Sequence, residues 1–471
     1  MDTDLLSPLG GSLGWEFDAD LLRRHDRPGP RYTSYPTAPQ FHDRFGPSDL
    51  EAATARSRAA GRPLSLYVHV PFCTSPCFYC GCNRIITRDT TRSVAYVDRV
   101  LAEAAQMAPL FGKEQEVVQL HLGGGTPNFL PLAQMRRLVE GLRGLFRFAG
   151  GEGTDISIEL DPRAIDPDGV AVLGSLGFNR ASLGVQDFHP QVQEAINRIQ
   201  PAGQTLAVMQ ACRRHGLASV NVDLIYGLPH QSLTGFADTV DQVLELRPDR
   251  LAVYGYAHMP AMFRAQRQID PAALPDPEHK LGLLGVAVER LTAAGYQYIG
   301  LDHFALPDDP LAQAQRAGQL HRNFMGYTTH AGTDLVGLGV SAISHIAGSY
   351  SQNPRELGHW ESAVDAGRLP VWRGLQLSDQ DRIRADLIQT LMCHGKVERQ
   401  PFGQRHGLDF GRYFAADLQR LQALVDDGLA YCDDTGIGAT ASGRPLLRLL
   451  AMCFDQYLHA DQQKGAFSRA I

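Results

Sequence analysis

The sequence predicts an α/β fold: a partial barrel of six strand–helix units, with an N-terminal arm and a mostly helical C-terminal domain. The first observation is that short apolar, β-branched runs alternate with helix-like stretches. Strands that alternate with helices form a parallel sheet with right-handed crossovers. The second is that polar or glycine-rich residues follow five of the six runs. Such residues converge on one face of a barrel, whereas a doubly wound sheet needs them only at its switch point, so they favour a partial barrel.

The predicted strands and helices follow one another from residue 64 onward. The six strands are expected at residues 64–71, 116–124, 155–162, 181–188, 219–229 and 250–260. The helices between them are expected at 93–107, 132–146, 169–177, 205–216 and 235–246. Another helical stretch is predicted near 262–295, a further strand at 295–304, and an apolar, glycine-rich segment lies at 335–344.

The regions on either side of the barrel have different patterns. Residues 1–55 are predicted to form an arm, because residues 28–41 carry four prolines and three aromatic rings, which is typical of an extended segment lying on another surface. Residues 56–355 form the predicted catalytic domain. The strand signal fades near residue 355, so residues 356–471 are predicted to be a separate, mostly helical domain. Its helices are expected at 378–393, 410–428 and 445–458, with a short hairpin at 431–443.

Composition and charge narrow the class of protein. The chain has 471 residues, 44% hydrophobic and 20% charged, which is ordinary globular usage. A formal net charge of -7 argues against a general nucleic-acid or membrane-surface binder. No apolar run reaches the ~18 residues of a membrane span, and residues 1–29 lack the basic start and apolar core of a signal peptide. A cytoplasmic protein without a membrane span or a nucleic-acid partner is expected.

Four of the eight cysteines fall within one short segment: Cys73, Cys77, Cys80 and Cys82. In a reducing compartment, clustered thiols indicate a metal or an iron–sulfur cluster rather than disulfides. The spacing differs from that of zinc ribbons and of bacterial ferredoxins. The first three cysteines, in a loop after the first strand, could hold three corners of one [4Fe–4S] cube and leave the fourth iron open. Buried or zinc-binding cysteines are the alternative.

Other polar residues lie near the predicted carboxyl ends of the strands. Residues 123–127 contain three successive glycines, which let the backbone approach a ligand closely. Glu159, Gln186, Arg198 and Asp223 lie at or after later strands. Taken one at a time, a tight turn or a solvated side chain explains each of them. Their joint placement on one predicted face favours a ligand-binding role.

Several segments carry a resemblance to a known family. The cysteine spacing, followed by GGGTP at 123–127, resembles the radical S-adenosylmethionine (SAM) superfamily. More narrowly, the chain resembles the oxygen-independent coproporphyrinogen III oxidase family, through segments in the arm, the barrel and the tail. These are residues 31–38, 66–73, 77–88, 121–127, 184–188, 222–229, 256–260, 321–329, 339–344 and 452–471. One departure lies at Met325, where the family usually has Gln.

The resemblance implies a set of cofactor-binding residues. Cys73, Cys77 and Cys80 would bind one [4Fe–4S] cluster, and Cys82 matches a family cysteine that does not bind iron. Two SAM molecules would lie side by side. The residues around the SAM on the open iron would be Tyr67, Gly124, Glu159 and Ile343. Those around the second SAM would be Tyr79, Gly125, Thr126, Gln186, Arg198, Asp223 and Ala257.

The resemblance also implies the reaction, an anaerobic oxidation in haem biosynthesis. Electron transfer from the cluster cleaves SAM, and the resulting 5′-deoxyadenosyl radical takes a β-hydrogen from a propionate of coproporphyrinogen III. Loss of CO2 and an electron leaves a vinyl group, and a second turnover gives protoporphyrinogen IX. Arg31, Arg198 and Arg322 are candidates to bind the substrate carboxylates, since Arg suits bidentate pairing; surface or structural arginines are the alternative. An electron donor, an electron acceptor and a monomeric enzyme are expected.

Two other functions remain as alternatives. One is a haem-binding chaperone related to this family through the cluster loop. Those relatives generally lack the C-x-C ending that Cys80 and Cys82 form, and they lack the arm motif at 31–38, so both features favour the oxidoreductase. The other is a radical methyltransferase, which the resemblance of the tail disfavours.

Overall fold

The computed structural model describes residues 24–25, 27–150, 153–460 and 467. Most of the segment from which the absence of a signal peptide is predicted, and most of the tail at 461–471, therefore lie outside the described residues. No helix among the described residues combines the length and the apolar character that are needed to cross a membrane.

The described chain contains strands of two to nine residues. In chain order they are β1 Leu64–Val70, β2 Phe72–Cys73, β3 Ile85–Ile86, β4 Glu116–Gly124, β5 Arg147–Phe148, β6 Asp155–Leu160, β7 Arg180–Gln186, β8 Ser219–Tyr226, β9 Arg250–Gly255, β10 Gln297–Gly300, β11 His303–Ala305, β12 His321–Asn323, β13 Gly326–Thr328, β14 Asp334–Leu338, β15 Ile343–Ile346, β16 Ser349–Gln352, β17 Arg373–Gln376, β18 Lys396–Glu398, β19 Ala430–Cys432 and β20 Gly436–Ala439.

One large sheet organises the molecule. Its order is β10-β11-β9-β8-β7-β6-β4-β1-β14-β15-β16-β17, with β5 added beside β4. The six strands predicted for the barrel are β1, β4 and β6 to β9, and they all run parallel. β14 extends the parallel run beside β1, and the strands beyond β14 and beyond β9 are antiparallel. The predicted partial barrel is confirmed.

The helices include the crossovers that connect the parallel strands. The α-helices are α1 Pro47–Ala60, α2 Arg92–Met107, α3 Leu132–Leu145, α4 Pro167–Ser175, α5 Pro190–Ala195, α6 Ala202–Arg214, α7 Leu233–Leu246, α8 Pro277–Ala293, α9 Pro310–Arg316, α10 Leu357–Asp365, α11 Asp379–His394, α12 Arg399–His406, α13 Phe410–Tyr413, α14 Ala415–Asp426, α15 Leu447–Cys453 and α16 Gln456–Ala460. Several begin at a capping side chain: Asp166 accepts a hydrogen bond from the Gly169 N–H, and Ser232 from the Gly235 N–H.

The parallel strands separate apolar from polar side chains because successive residues point to opposite faces. In β4, Leu120 and Leu122 are fully buried in the core that includes α2 and α3, whereas His121 lines the cavity inside the barrel. Burying one such leucine stabilises the fold by about 1.5–3 kcal/mol. The outward face therefore holds the sheet to its helices, and the inward face is left to carry polar chemistry.

The arm lies on the C-terminal domain. Tyr32 and Tyr35 are buried in the apolar cluster that holds Phe414 and Phe454. The Tyr32 hydroxyl donates to Asp455 at 3.0 Å, and further along the arm the ring of Phe41 stacks on Tyr350 at 5.4 Å. The prediction of an extended segment lying on another surface is confirmed for these residues.

The C-terminal region is mostly helical, as predicted, and its fold-class assignment is confirmed. It also contains more strand than the sequence indicates. β18, β20 and β19 form a small antiparallel sheet that includes the predicted hairpin, and β17 joins the large sheet. The domain boundaries remain a prediction: α1 crosses position 55, and β17 follows position 355 but pairs with β16.

Candidate active site

The predicted cluster cysteines occupy one loop between β2 and β3. Cys73 lies in β2, and Cys77 and Cys80 lie in the loop that follows. Because β2 pairs with β3, the two ends of this loop are held side by side. The Arg84 guanidinium donates to the carbonyl oxygens of Cys80 at 2.9 Å and Cys77 at 3.1 Å. Strand pairing and this arginine together fix the shape of a loop that has little regular structure of its own.

Hydrogen-bond donors surround the three predicted ligand thiols. The Thr126 hydroxyl lies 3.3 Å from the Cys73 sulfur, and the Arg198 guanidinium 3.6 Å from the Cys77 sulfur. The backbone N–H of Cys82 donates to the Cys80 sulfur at 3.4 Å. Donors of this kind stabilise thiolates and tune an iron–sulfur cluster. The donor set therefore fits a cluster held by three cysteines.

Two of these thiols differ in acidity. A hydrogen bond from the Cys82 thiol lowers the pKa of Cys80 to about 6, whereas burial raises the pKa of Cys73 to about 11. Iron binding would have to displace the Cys73 proton. The described ranges contain no group of three His, Cys, Asp or Glu side chains placed to hold one metal ion. Thiolates that each bind a different iron of a cube have no need to converge on one point.

The glycine loop after β4 lies against the start of the cluster loop. Gly124 has φ +117°, and a Cβ there would lie 2.6 Å from a carbon of the His69 ring. A Cβ on Gly125 would lie 2.6 Å from the Pro71 carbonyl oxygen, and the Gly125 N–H donates to Val70 at 2.8 Å. Only glycine suits both positions, and the two turns are packed backbone to backbone.

Glu159 is held at the end of β6 by donors from β4. It accepts from the Gly124 N–H at 3.0 Å, and its other oxygen lies 3.4 Å from His121 Nε2. Burial opposes ionisation, but these contacts lower the pKa of Glu159 below its usual value. The Tyr67 ring stacks on His121 at 5.9 Å. Glu159 is therefore a fixed carboxylate that faces the cavity and can accept hydrogen bonds from a ligand.

Asp223 lies on β8, and Arg198 lies in the loop between α5 and α6. Asp223 accepts from Ser182 at 2.9 Å and from Asn221 at 2.8 Å, and burial raises its pKa to about 6. Arg198 is buried and donates to Asp161 at 3.2 Å and to the Gly184 carbonyl oxygen at 2.6 Å. Its Nε has no hydrogen-bond partner within the described part of the chain. A polar ligand beside Arg198 would complete its hydrogen bonds.

The remaining predicted residues border the same region. Gln186 ends β7 with φ +71°, and its side chain is buried. The carbonyl oxygens of Tyr79 and Ala257 accept from the same Gln266 amide, so they lie close together. Ile343 begins β15, and its backbone abuts Gly337, the partner of Tyr67 in β14. The structure thus arranges the predicted SAM residues around the carboxyl ends of the parallel strands.

The three arginines proposed for substrate carboxylates do not lie together. Arg198 adjoins the cluster loop. Arg31 and Arg322 lie beside Tyr254 and Tyr327, which line the cavity. There, Arg31 also pairs with Asp302. The sequence does not distinguish these two environments.

Other polar residues at the site escaped prediction. His69 lies two residues after Tyr67 in β1, and His121 of β4 pairs with Tyr67. Side chains two residues apart in a strand point to the same face, so this alternation could have identified both histidines. Arg84 lies in a loop, and Arg163, whose guanidinium lies 3.8 Å from the Cys77 sulfur, lies in a one-turn 3₁₀ helix. Neither segment is long enough to carry a periodic signal.

Comparison with known proteins identifies the family. Residues 67–243 match the model of the Radical SAM superfamily. The oxygen-independent coproporphyrinogen III oxidase of Pseudomonas aeruginosa is 49% identical over 455 residues, covering 97% of this chain and 99% of the relative. The enzyme of that name from Synechocystis sp. is 44% identical over 460 residues, covering 97% and 98%.

A solved structure gives the same result. The coproporphyrinogen III oxidase of Escherichia coli, described as a radical SAM enzyme, aligns with a TM-score of 0.88 at 49% identity, covering 91% of this chain and 97% of that one. Sequence similarity over 97% of this chain reaches into the arm as well as the barrel and the C-terminal domain. The chain belongs to the oxygen-independent coproporphyrinogen III oxidase family of radical SAM enzymes.

Proposed function

We propose that the protein catalyses the oxygen-independent oxidative decarboxylation of coproporphyrinogen III, converting two propionates to vinyl groups and yielding protoporphyrinogen IX. One observation carries the proposal: a three-cysteine loop packs against a glycine loop at the carboxyl ends of the barrel strands. It does so in a chain 49% identical, over nearly its full length, to an enzyme of this name.

Cys73, Cys77 and Cys80 are the proposed ligands of the family's [4Fe–4S] cluster, and Cys82 remains a free thiol. When bound, the cluster and SAM supply a 5′-deoxyadenosyl radical that can remove a β-hydrogen from a propionate. The protein contributes the loop that fixes the three thiolates and the arginines whose guanidinium groups lie beside Cys77.

We also propose two SAM sites. The first is formed by Tyr67, Gly124, Glu159 and Ile343, where the Glu159 carboxylate accepts hydrogen bonds from ribose hydroxyls or the ammonium group. The second is formed by Tyr79, Gly125, Thr126, Gln186, Arg198, Asp223 and Ala257. There, Arg198 has an unused Nε donor and Asp223 has acceptor oxygens facing the cavity.

The environment of the enzyme is part of the proposal. We place it in the cytoplasm as a monomer that receives electrons from a separate reductant and passes them to a separate acceptor. All eight cysteines are free thiols, which suits a reducing compartment.

An anaerobic assay tests the proposed function. Reconstituted protein is incubated with SAM, a chemical reductant and coproporphyrinogen III, and the product is analysed by mass spectrometry. Loss of two CO2 and four hydrogens is the expected result. A parallel incubation with haem separates this activity from haem binding: a stable haem complex without decarboxylation would contradict the proposal.

A further inference from the structure

Arg322 is a buried cation whose hydrogen bonds are incomplete. Its residue exposure is 5%, and its Nε and Nη1 atoms have no hydrogen-bond partner among the residues that the structure describes. The guanidinium lies 4.7 Å from the centre of the Tyr327 ring. A cation–π contact compensates part of the desolvation, but buried donors without acceptors cost about 1–3 kcal/mol, and more when they are charged.

A second cation, Arg31 of the arm, lies near Arg322. Arg31 forms an ion pair with Asp302, and its guanidinium lies 5.5 Å from the centre of the Tyr254 ring. Burial and the neighbouring Arg322 lower the pKa of Arg31. Two arginines from segments far apart in the chain therefore lie within electrostatic reach of each other.

Among the described residues, Arg31 has an ion-pair partner and Arg322 has none. Asp302 neutralises Arg31, while His303 is kept neutral because burial and the nearby arginines lower its pKa well below the usual value. Tyr254 and Tyr327 are uncharged, since burial raises their pKa values. An anionic ligand with one carboxylate would balance the charge and use the free donors of Arg322.

The aromatic residues beside Arg31 and Arg322 line the cavity of the proposed reaction site. Tyr254, His303 and Tyr327 line the same cavity as Glu159 and Asp223. The cluster loop lies at a different part of the site, where Arg198 already pairs with Asp161. A flat or puckered macrocycle could rest on the aromatic rings while one of its acidic side chains reaches the arginines.

We infer that Arg322 and Arg31 form a carboxylate site that anchors one propionate of the porphyrinogen and so orients the macrocycle. The inference rests on the proposed function and names the residues that would select a substrate with acidic side chains. SAM also carries a carboxylate, so the test must distinguish the two sources.

The test measures binding separately from turnover. Coproporphyrin III, the fluorescent oxidised form of the substrate, is titrated anaerobically into reconstituted wild-type protein, Arg322→Gln and Arg31→Gln; the coproporphyrin tetramethyl ester is the uncharged comparison. Each variant is expected to bind the tetra-acid roughly 10- to 100-fold more weakly, because a charge-assisted hydrogen bond is lost. The ester should bind the variants and the wild type alike. Arg136→Gln, at an exposed pair on α3, is the matched control.

Several outcomes would overturn the site. Unchanged affinity of both variants for the tetra-acid, or equal weakening for acid and ester, would remove the carboxylate role. Loss of SAM binding in Arg322→Gln would assign the arginine to SAM instead. If Arg322→Gln fails to fold, as judged by iron content, Arg31→Gln decides. Failure of the wild type to decarboxylate coproporphyrinogen III in the anaerobic assay would refute the proposed function, whereas the porphyrin titration tests the carboxylate site alone.

Discussion

Cys77 and Cys82 lie in one loop but have different surroundings. The Cys77 sulfur faces two arginines, whereas the Cys82 side chain is exposed and contacts Cys80. We expect Cys77→Ala to lose the cluster and to abolish SAM cleavage. Cys82→Ser should keep about four irons per chain, as the three-ligand site requires, and retain some SAM cleavage, but lose porphyrinogen conversion.

Three measurements on these variants separate the roles: iron content, methionine release and protoporphyrinogen yield. Loss of iron from Cys82→Ser would make Cys82 a ligand. Full conversion by Cys82→Ser would make it a small side chain that fills space. A normal cluster in Cys77→Ala would contradict the ligand assignment.

Asp223 gives a prediction about pH. Burial raises its pKa to about 6, so the carboxylate is available as an acceptor above that pH and becomes protonated below it. Binding at the second SAM site should therefore weaken about tenfold for each pH unit below 6. Asp223→Asn should bind weakly across the range and show no such step, while keeping its iron. The affinity for SAM, titrated between pH 5 and pH 8, is the measurement, and an identical pH profile for both proteins would count against the role.

Single residues were predictable from sequence where a motif or a strand alternation marks them. The cysteines, the glycine loop and Glu159 lie together in the structure, and their roles in binding the cluster and SAM stay a prediction. The arginines were predicted as a group, but the structure separates Arg198 from Arg31 and Arg322. Ion-pair partners such as Asp161 and Asp302 are set by tertiary packing, so no local pattern distinguishes the two settings.

At the scale of elements, a buried carboxylate joins α2 to the turn after β14. Glu103 accepts from the Gly339 N–H at 2.8 Å, the Asn353 amide at 2.6 Å and the Trp360 indole at 3.0 Å. Burial nevertheless raises its pKa to about 7. The three donors come from different segments, so this one side chain fixes a helix to the edge of the barrel.

The raised pKa of Glu103 determines how the stability of the fold changes with pH. The folded state holds the proton more tightly than the unfolded state, whose pKa is near 4.5, so stability falls as pH rises from about 4.5 to 7. The shift corresponds to about 3 kcal/mol. Glu103→Gln should lose this dependence. It should also be less stable at pH 5, since its amide NH2 would face other donors, which costs about 1–3 kcal/mol.

Thermal unfolding of the apo-protein at pH 5 and pH 8 checks the prediction. Glu361→Gln, which alters a half-buried pair with Arg99, is the control and should shift the midpoint by less than Glu103→Gln does. If Glu103→Gln and wild type lose the same stability between the two pH values, Glu103 is not the titrating group.

Element boundaries were predictable where apolar runs are bounded by turns. β1 and β4 match their predicted spans closely, but residues 295–304 form a hairpin rather than one strand, since Gly300 and Leu301 adopt positive φ. The helix expected near 262–295 begins only at Pro277. Prolines at 271 and 275 break the earlier part, and Pro277 suits the first helical position.

At the scale of the whole molecule, Tyr35 attaches the arm to the C-terminal domain. It is buried, its ring lies 5.9 Å from that of Tyr457, and its hydroxyl accepts from the Gln456 N–H at 3.2 Å. Tyr35→Ala should cost about 3–5 kcal/mol, expose the arm to protease and weaken porphyrin binding through displacement of Arg31. Tyr35→Phe, the matched control, should cost only about 1 kcal/mol.

Limited proteolysis and coproporphyrin III titration report the two effects of Tyr35→Ala. Cleavage before α1 that is no faster than in wild type would show that other contacts hold the arm. The sequence indicated that the arm lies on a surface but could not identify it, because pairing across the length of a chain leaves no local pattern.

The docking of the arm has a consequence for biosynthesis. Tyr32 and Tyr35 leave the ribosome long before the groups that receive their hydroxyls, Asp455 and Gln456. At about 5–20 residues per second, these two tyrosines wait for tens of seconds without their partners. The barrel can fold during that time and offer Asp302 to Arg31, but the arm is not yet anchored at Tyr32 and Tyr35. A nascent chain, or one truncated before residue 455, would thus hold Arg31 less firmly and bind porphyrinogen more weakly.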